Sequence, residues 1–114
     1  MLFDVIPTDE FLKHTKKLVK KFPSLKSELQ KLTASLAEEP MQGTPLGNHR
    51  YKIRLAVKSK GKGKSGGMRV ITYLITEKQQ VFLIDIYDKS ENDTIADQEI
   101  GKIIQRTEIK LKNE

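Results

Sequence analysis

Residues 50–69, RYKIRLAVKSKGKGKSGGMR, form a block of cations suited to binding phosphate. The block carries eight of the 21 basic residues, and no Asp or Glu occurs between Glu39 and Glu77. The other 13 basic residues are set against 15 acidic ones, so the net charge of +6 comes from this one block. Such a concentration of Lys and Arg attracts polyanions and binds phosphates with release of counterions. Charge runs of this kind also occur as solvated loops, which is the competing interpretation.

The alternation of residues 51–58 favours a binding surface over a solvated loop. Apolar residues take the odd positions, and the cations Lys52, Arg54 and Lys58 take even ones. Successive side chains of a strand point to opposite faces, so we expect these cations on one face and a core on the other. Arg69 then opens a second β-rich run, beyond a glycine-rich loop that holds Lys60, Lys62 and Lys64.

The glycines of this loop resemble nucleotide-binding motifs only in part. Gly61, Gly63 and Gly66 fit G-x-G-x-x-G, and residues 63–65 look like the end of a Walker A loop. Both motifs need a following helix whose N-terminus receives the phosphates, but residues 69–75 are strand-like. Walker A also requires a glycine where Lys58 stands. We therefore interpret the glycines as a wide β-hairpin connection.

The composition predicts one small domain, residues 1–114, without thiol chemistry. The chain has no cysteine, which excludes disulfides and thiolate metal sites. His14 and His49 are its only histidines, which argues against a histidine metal centre; we expect His14 to be exposed and His49 to be structural or exposed. No apolar run is long enough to cross a bilayer, and no secretory signal opens the chain, so we expect a cytoplasmic protein without membrane contact.

The elements that must position the cations follow from helix-capping and helix-breaking residues and from the periodicity of the apolar residues. Residues 2–6 predict a strand, and Thr8 and Ser24 predict the caps of two helices with apolar stripes, the second ending at residues 39–40. Residues 41–48 are expected to be a connecting loop. Strands are predicted over 50–58, 67–76 and 80–87, followed by a last helix capped near Ser90.

The predicted fold is therefore α+β, with the order β-α-α-β-β-β-α. The helical hairpin packs on a mainly antiparallel sheet because the last three strands are joined as hairpins. In the last strand, strict alternation places Phe82, Ile84 and Ile86 on one face. It places Asp85 and Tyr87 on the other.

Three sequence blocks in this order resemble the RelE/ParE superfamily of bacterial toxins, most closely its HigB-like branch. The blocks are YKIR at 51–54, KGKGKSGGMRVITY at 60–73 and IYDKSE at 86–91. The resemblance covers nearly the whole chain and implies a RelE-like fold. It implies a toxin of a type II toxin–antitoxin pair that cleaves messenger RNA in the ribosomal decoding site. The implied partners are a cognate antitoxin, the ribosome and messenger RNA.

The reaction that the resemblance implies needs neither a metal nor a cofactor. An RNA 2′-hydroxyl attacks the adjacent phosphorus, and the 5′-oxygen leaves. By matching position, Arg69 would hold the scissile phosphate, and Lys52 and Arg54 would clamp phosphates, with Lys52 also a candidate base. Tyr87 would stack on a base or share a proton. The implied backbone ligands are Lys58, Lys60, Lys62, Lys64 and Lys89.

Two other functions remain open at this point. A ParE-like toxin would have the same fold but would bind and inhibit DNA gyrase without nuclease chemistry. A nucleic-acid-binding domain would use the cations without catalysis, and its binding would be sensitive to salt.

Overall fold

The computed structural model describes residues 2–61, 63, 66–91 and 95–112. Lys62 and Lys64, two of the predicted backbone ligands, lie outside the described residues. The described elements are β1 (Asp4–Pro7), α1 (Asp9–Lys21), α2 (Leu25–Glu38), β2 (Thr44–Gly47), β3 (Arg50–Leu55), β4 (Met68–Ile75), β5 (Gln80–Asp88) and α3 (Asp97–Lys112).

The strands form one five-stranded sheet in the order β1-β5-β4-β3-β2. β2, β3, β4 and β5 pair antiparallel with their neighbours, whereas β1 pairs with β5 in parallel. β1 pairs with residues 80–83, so the second half of β5 extends beyond it. The predicted α+β fold is confirmed.

Helices cover both faces of the sheet, and each face has its own apolar core. Leucines of α2 and Phe11 of α1 pack with Ile53, Val70 and Ile86 on one face. Ile100, Ile103 and Ile104 of α3 pack on the other face against Ile71, Phe82, Ile84 and Tyr87. The sheet is thus held between a helical hairpin and a single helix, as expected when each element must bury one apolar surface.

The predicted cap of α1 is confirmed, and Ser24 occupies the predicted N-cap position of α2. The Thr8 hydroxyl accepts the Phe11 N–H at 3.1 Å and also donates to the Leu83 carbonyl at 2.9 Å, which ties the start of α1 to β5. Ser24 makes no side-chain cap bond. Its hydroxyl instead contacts Glu28 Oε1 at 3.0 Å and the Ser59 hydroxyl at 2.7 Å.

The expected connecting loop at 41–48 contains a strand. β2 pairs with the first residues of β3, with Thr44 opposite Lys52 and Pro45 opposite Tyr51. The sequence TPLG hid this strand because glycine and proline are depleted in strands, although proline is accepted on an edge strand. Residues 50–58, predicted as one strand, divide into β3 and a 3-10 turn over Lys58–Lys60.

A β-bulge in β5 overturns the predicted faces of the last strand. Ile71 pairs with Asp85 and Thr72 with Leu83, so Ile84 is an extra residue. Past such an extra residue, the alternation of side chains is reversed. Ile86 therefore packs under α1 and α2, whereas Tyr87 joins Phe82 and Ile84 on the α3 face.

Candidate nucleic-acid interface

Arg54, Arg69 and Tyr87 form a row across three adjacent strands. Arg54 of β3 pairs with Arg69 of β4, which in turn pairs with Tyr87 of β5. Side chains at directly paired positions lie on the same face with Cβ atoms about 5 Å apart. The structure thus brings together three of the four residues that were predicted to be catalytic.

The three residues of the row differ in exposure. Arg54 is exposed, whereas Arg69 is 4% and Tyr87 7% exposed. Arg69 Nη1 donates to the carbonyl of Met68 at 3.1 Å, which fixes the guanidinium against its own strand. The row therefore has one solvent-facing cation and one cation held inside the fold.

Lys52 belongs to the next row on the same face. It pairs with Ile71, which pairs with Asp85. Lys52 is partly buried and lies two residues from Arg54, so the strand places both cations on one face, as predicted. This second row ends at a carboxylate rather than at a tyrosine.

The turn after β3 separates two lysines that were predicted to bind the same backbone. Lys58 is exposed, and its backbone N–H donates to Glu28 Oε2 at 2.7 Å, which anchors the turn on α2. The Lys60 side chain is 5% exposed and makes an ion pair with Asp88, whose side chain is 4% exposed. Its ammonium also donates to the Ser90 hydroxyl at 3.0 Å and lies 5.3 Å from the centre of the Phe22 ring.

The Lys60–Asp88 pair gives Lys60 a structural role. Burial by itself would raise the pKa of Asp88, but hydrogen bonds from Lys60 and from the Ser90 N–H outweigh it and hold that pKa below its ordinary value. The pair joins the basic turn to the end of β5. We therefore leave Lys60 out of the proposed RNA-binding surface.

Lys89 follows β5 directly, at the same end of the sheet. Its backbone N–H donates to the Gly67 carbonyl at 3.1 Å, so the segments that enter β4 and leave β5 run side by side there. Lys89 is partly buried. Its backbone position is two residues from Tyr87, close to the row.

The comparison with known families decides which family this chain belongs to. The model of the RelE toxin of the RelE/RelB toxin–antitoxin system matches residues 8–112. The chain belongs to the RelE toxin family. The narrower assignment to the HigB-like branch stays a prediction.

Solved structures of E. coli RelE are similar to this chain. A RelE mutant in the free state is 21% identical with a TM-score of 0.62, covering 93% of this chain and 98% of that one. The isolated RelE toxin is 20% identical with a TM-score of 0.57, covering 92% and 98%. A chain of the intact E. coli RelBE toxin–antitoxin complex is 25% identical with a TM-score of 0.58, covering 75% and 95%.

The RelE resemblance did not point to one polar pair that the structure forms. His14 of α1 was expected to be exposed, but its ring is partly buried, and Nδ1 lies 2.5 Å from Oδ1 of Asp85. The two residues are 71 positions apart in the chain. Only the packing of α1 against β5 brings them together, so no local sequence pattern could have revealed the pair.

Metal-binding clusters and membrane-spanning helices are both absent from the described residues of this RelE-family chain. No group of three or more His, Cys, Asp or Glu side chains within them is placed to hold a metal ion. None of the helices in the described part of the chain is long and apolar enough to cross a membrane.

Proposed function

We propose that this RelE-family chain is the toxin of a type II toxin–antitoxin pair and cleaves messenger RNA on the ribosome, without a metal. The single observation that carries the proposal is the row of Arg54, Arg69 and Tyr87. Like charges directly opposite each other destabilise a sheet. An arginine pair in this position is therefore better explained by an anionic ligand than by folding.

The row offers what phosphoryl transfer to an RNA 2′-hydroxyl needs most. Charge builds up on the phosphate oxygens in the transition state, and a preorganised cation there costs no reorganisation. Arg69, held inside the fold by the Met68 carbonyl, is that cation. Arg54 is exposed and receives the RNA backbone first. Because Arg69 is 4% exposed, direct contact with a phosphate requires the side chains that cover its guanidinium to move.

The other cations extend this surface along the RNA. Lys52 shares the face of the row, and Lys58 lies exposed on the turn beyond β3. Lys89 follows Tyr87 at the end of β5. We assign Lys52, Lys58 and Lys89 to phosphates that flank the scissile one, together with Lys62 and Lys64 of the glycine loop. Arginine and lysine side chains at such positions fix the register of the nucleic acid.

The proposed partners follow from the family and from the charge of the surface. A chain similar to this one was solved in the RelBE toxin–antitoxin complex, which supports a cognate antitoxin. An acidic antitoxin segment would associate rapidly with the basic block. The ribosome and its messenger are the proposed targets of the same surface.

The testing experiment is cleavage of messenger RNA in a purified translation system. Arg69→Gln keeps a polar side chain and removes its charge, and we expect it to lower the cleavage rate by about 10²–10³-fold, the usual cost of losing one electrostatic donor to a transition state. Arg106→Gln is the control, since Arg106 lies on α3 and pairs with Glu10. Thermal unfolding of both variants separates activity from stability.

Each outcome decides between functions. Intact message with folded wild-type protein contradicts the nuclease proposal. If the same protein then inhibits supercoiling by gyrase, the ParE-like function is correct. Equal losses of cleavage in Arg69→Gln and Arg106→Gln would contradict the role given to the row.

A further inference from the structure

A cleft of about 440 Å³ opens between α1 and the second half of β5. β1 covers β5 only as far as Leu83, so the edge of β5 beyond it borders the cleft. Leu18, Ile86 and Ile95 contribute apolar surface to its lining. The volume is within the range of small-ligand sites, about 300–1,000 Å³.

His14 and Asp85 form a hydrogen-bonded pair in the lining of this cleft. Nδ1 of His14 lies 2.5 Å from Oδ1 of Asp85, and the same oxygen accepts the Ile86 N–H at 2.8 Å. An ionised carboxylate can only accept, so Nδ1 carries the hydrogen and Nε2 of the neutral ring is an acceptor. The Asp85 side chain is 8% and the His14 side chain 42% exposed. A buried carboxylate thus orients an imidazole that solvent and substrate can reach.

The bulge at Ile84 connects this pair to the arginine row. Asp85 and Tyr87 follow it, two residues apart, which is about 7 Å along a strand. Tyr87 also lines the cleft and pairs with Arg69 in the sheet. The cleft and the row therefore meet at Tyr87 and span a length comparable to one nucleotide step.

The proposed reaction needs a group that the row itself does not supply. A base must take the proton of the 2′-hydroxyl, and arginine stays protonated in proteins. Histidine is the side chain suited to this at neutral pH, and a carboxylate on its far nitrogen stabilises the imidazolium that forms. His49, the other histidine, is exposed in the turn between β2 and β3.

We propose that His14, held by Asp85, is the general base of RNA cleavage and that the cleft takes the ribose whose 2′-hydroxyl attacks. This inference rests on the proposed nuclease function. Nε2 accepts the hydroxyl proton as the O2′–P bond forms. The P–O5′ bond breaks, and its electron pair leaves with O5′, which takes a proton from water. The products are a 2′,3′-cyclic phosphate and a 5′-hydroxyl.

The charges around the cleft are compatible with an RNA strand entering it. The titratable groups that line it beside the pair are Lys17, Lys21, Tyr87, Asp88 and Glu91. Asp88 is already paired with Lys60. Lys21 Nζ lies 3.0 Å from Glu91 Oε1, and both side chains are more than half exposed. A phosphate can take the place of Glu91 at this ammonium, with Lys17 one helical turn away.

The test compares His14→Gln with His49→Gln in single-turnover cleavage of messenger RNA on purified ribosomes. Glutamine at position 14 can still donate to Asp85 but cannot accept the proton. We expect His14→Gln to lower the rate by about 10²–10⁴-fold, the usual contribution of a general base, with unchanged binding to the ribosome. The wild-type pH–rate profile should have an acidic limb, along which the rate falls as the base is protonated. This limb should be absent in His14→Gln. His49→Gln should retain both the rate and the limb.

The outcomes separate this inference from the function on which it rests. If the wild-type protein leaves the message intact, both the nuclease function and the role of His14 are contradicted. If the wild type cleaves and His14→Gln cleaves equally fast with the same limb, only the role of His14 is wrong. Should His14→Gln fail to fold, Asp85→Asn decides, because it retains an acceptor for the Ile86 N–H. An unchanged rate and pH profile in folded Asp85→Asn would overturn the proposal.

Discussion

At the scale of single residues, the Lys60–Asp88 pair shows why a lysine in a basic run need not be solvated. The run KSKGKGK gives no local sign that Lys60 differs from its neighbours. Its partner lies 28 positions away at the end of β5, and the ring of Phe22 from the α1–α2 connection covers the ammonium. The position of a charge in three dimensions is set by the packing of distant elements. For that reason the sequence predicted the basic block but not which of its lysines are exposed and which one is buried in an ion pair.

Breaking this pair should destabilise the protein markedly. Lys60→Met leaves the Asp88 carboxylate buried without its cation, and we expect the free energy of unfolding at neutral pH to fall by about 3–5 kcal/mol. The exposed neighbour provides the control, since Lys58→Met should change it by less than about 0.5 kcal/mol. Urea unfolding measures both. A loss in Lys60→Met no larger than in Lys58→Met would contradict the buried pair.

The same pair predicts a pH dependence with a definite sign. The pKa of Asp88 is lowered in the folded protein from its ordinary value of 3.8, so its stabilisation is complete above that value and is lost as the pH falls through the lowered one. The stability gap between the wild type and Lys60→Met should therefore narrow as the pH falls, because protonation removes the uncompensated charge of Asp88 in the variant and the ion pair in the wild type. Unfolding curves at stepped pH values check this. A gap that widens in acid would show the opposite linkage.

At the scale of elements, periodicity predicted β1, β3, β4 and β5 and placed cations on neighbouring strands, but it predicted neither β2 nor the irregularities that shape the site. Alternation placed Lys52 and Arg54 on one face, and the hairpin order placed Arg69 and Tyr87 on the adjacent strands. The bulge at Ile84 was missed because every residue from Val81 to Ile84 is apolar, so the pattern carries no mark of an inserted position. That bulge nevertheless sets the face of Tyr87, which joins the α3 core and pairs with Arg69.

Gly67 offers a test of how tightly β4 begins against β3. A Cβ atom built there would lie 2.0 Å from the Leu55 carbonyl oxygen, which real structures do not tolerate. We expect Gly67→Ala to lower the free energy of unfolding by about 1–3 kcal/mol, since the strand ends must separate. Gly63 has open space around its Cβ position, so Gly63→Ala should be nearly neutral. Thermal unfolding of the two variants provides the comparison, and equal stability would refute the close approach.

At the scale of the whole molecule, the net charge of +6 is concentrated at one part of an otherwise slightly acidic chain. Counting basic and acidic residues along the sequence was enough to predict this asymmetry, because a charge count does not depend on packing. A concentrated patch steers anionic partners and makes their binding depend on salt. The fold adds that the exposed share of the patch includes Arg54 and Lys58.

The salt dependence of RNA binding should register the loss of one exposed cation. Lys58→Gln is expected to reduce the slope of log K against log salt by about 0.7, the value for one phosphate contact on a single strand. Lys31→Gln removes an exposed lysine of α2 outside the block and should leave the slope unchanged. Titrations with a short single-stranded RNA at several salt concentrations measure both slopes. An unchanged slope for Lys58→Gln would place this lysine outside the RNA contact.

The parallel pairing of β1 with β5 has a consequence for biosynthesis. Val5 pairs with Val81, and the Thr8 N–H donates to the Leu83 carbonyl, so β1 can pair only after β5 has been translated. Contacts of such long sequence separation form late, whereas α1 and α2 can form locally. A nascent chain thus cannot close its sheet until β5 has emerged, and the arginine row, which needs β3, β4 and β5 together, cannot be assembled before that.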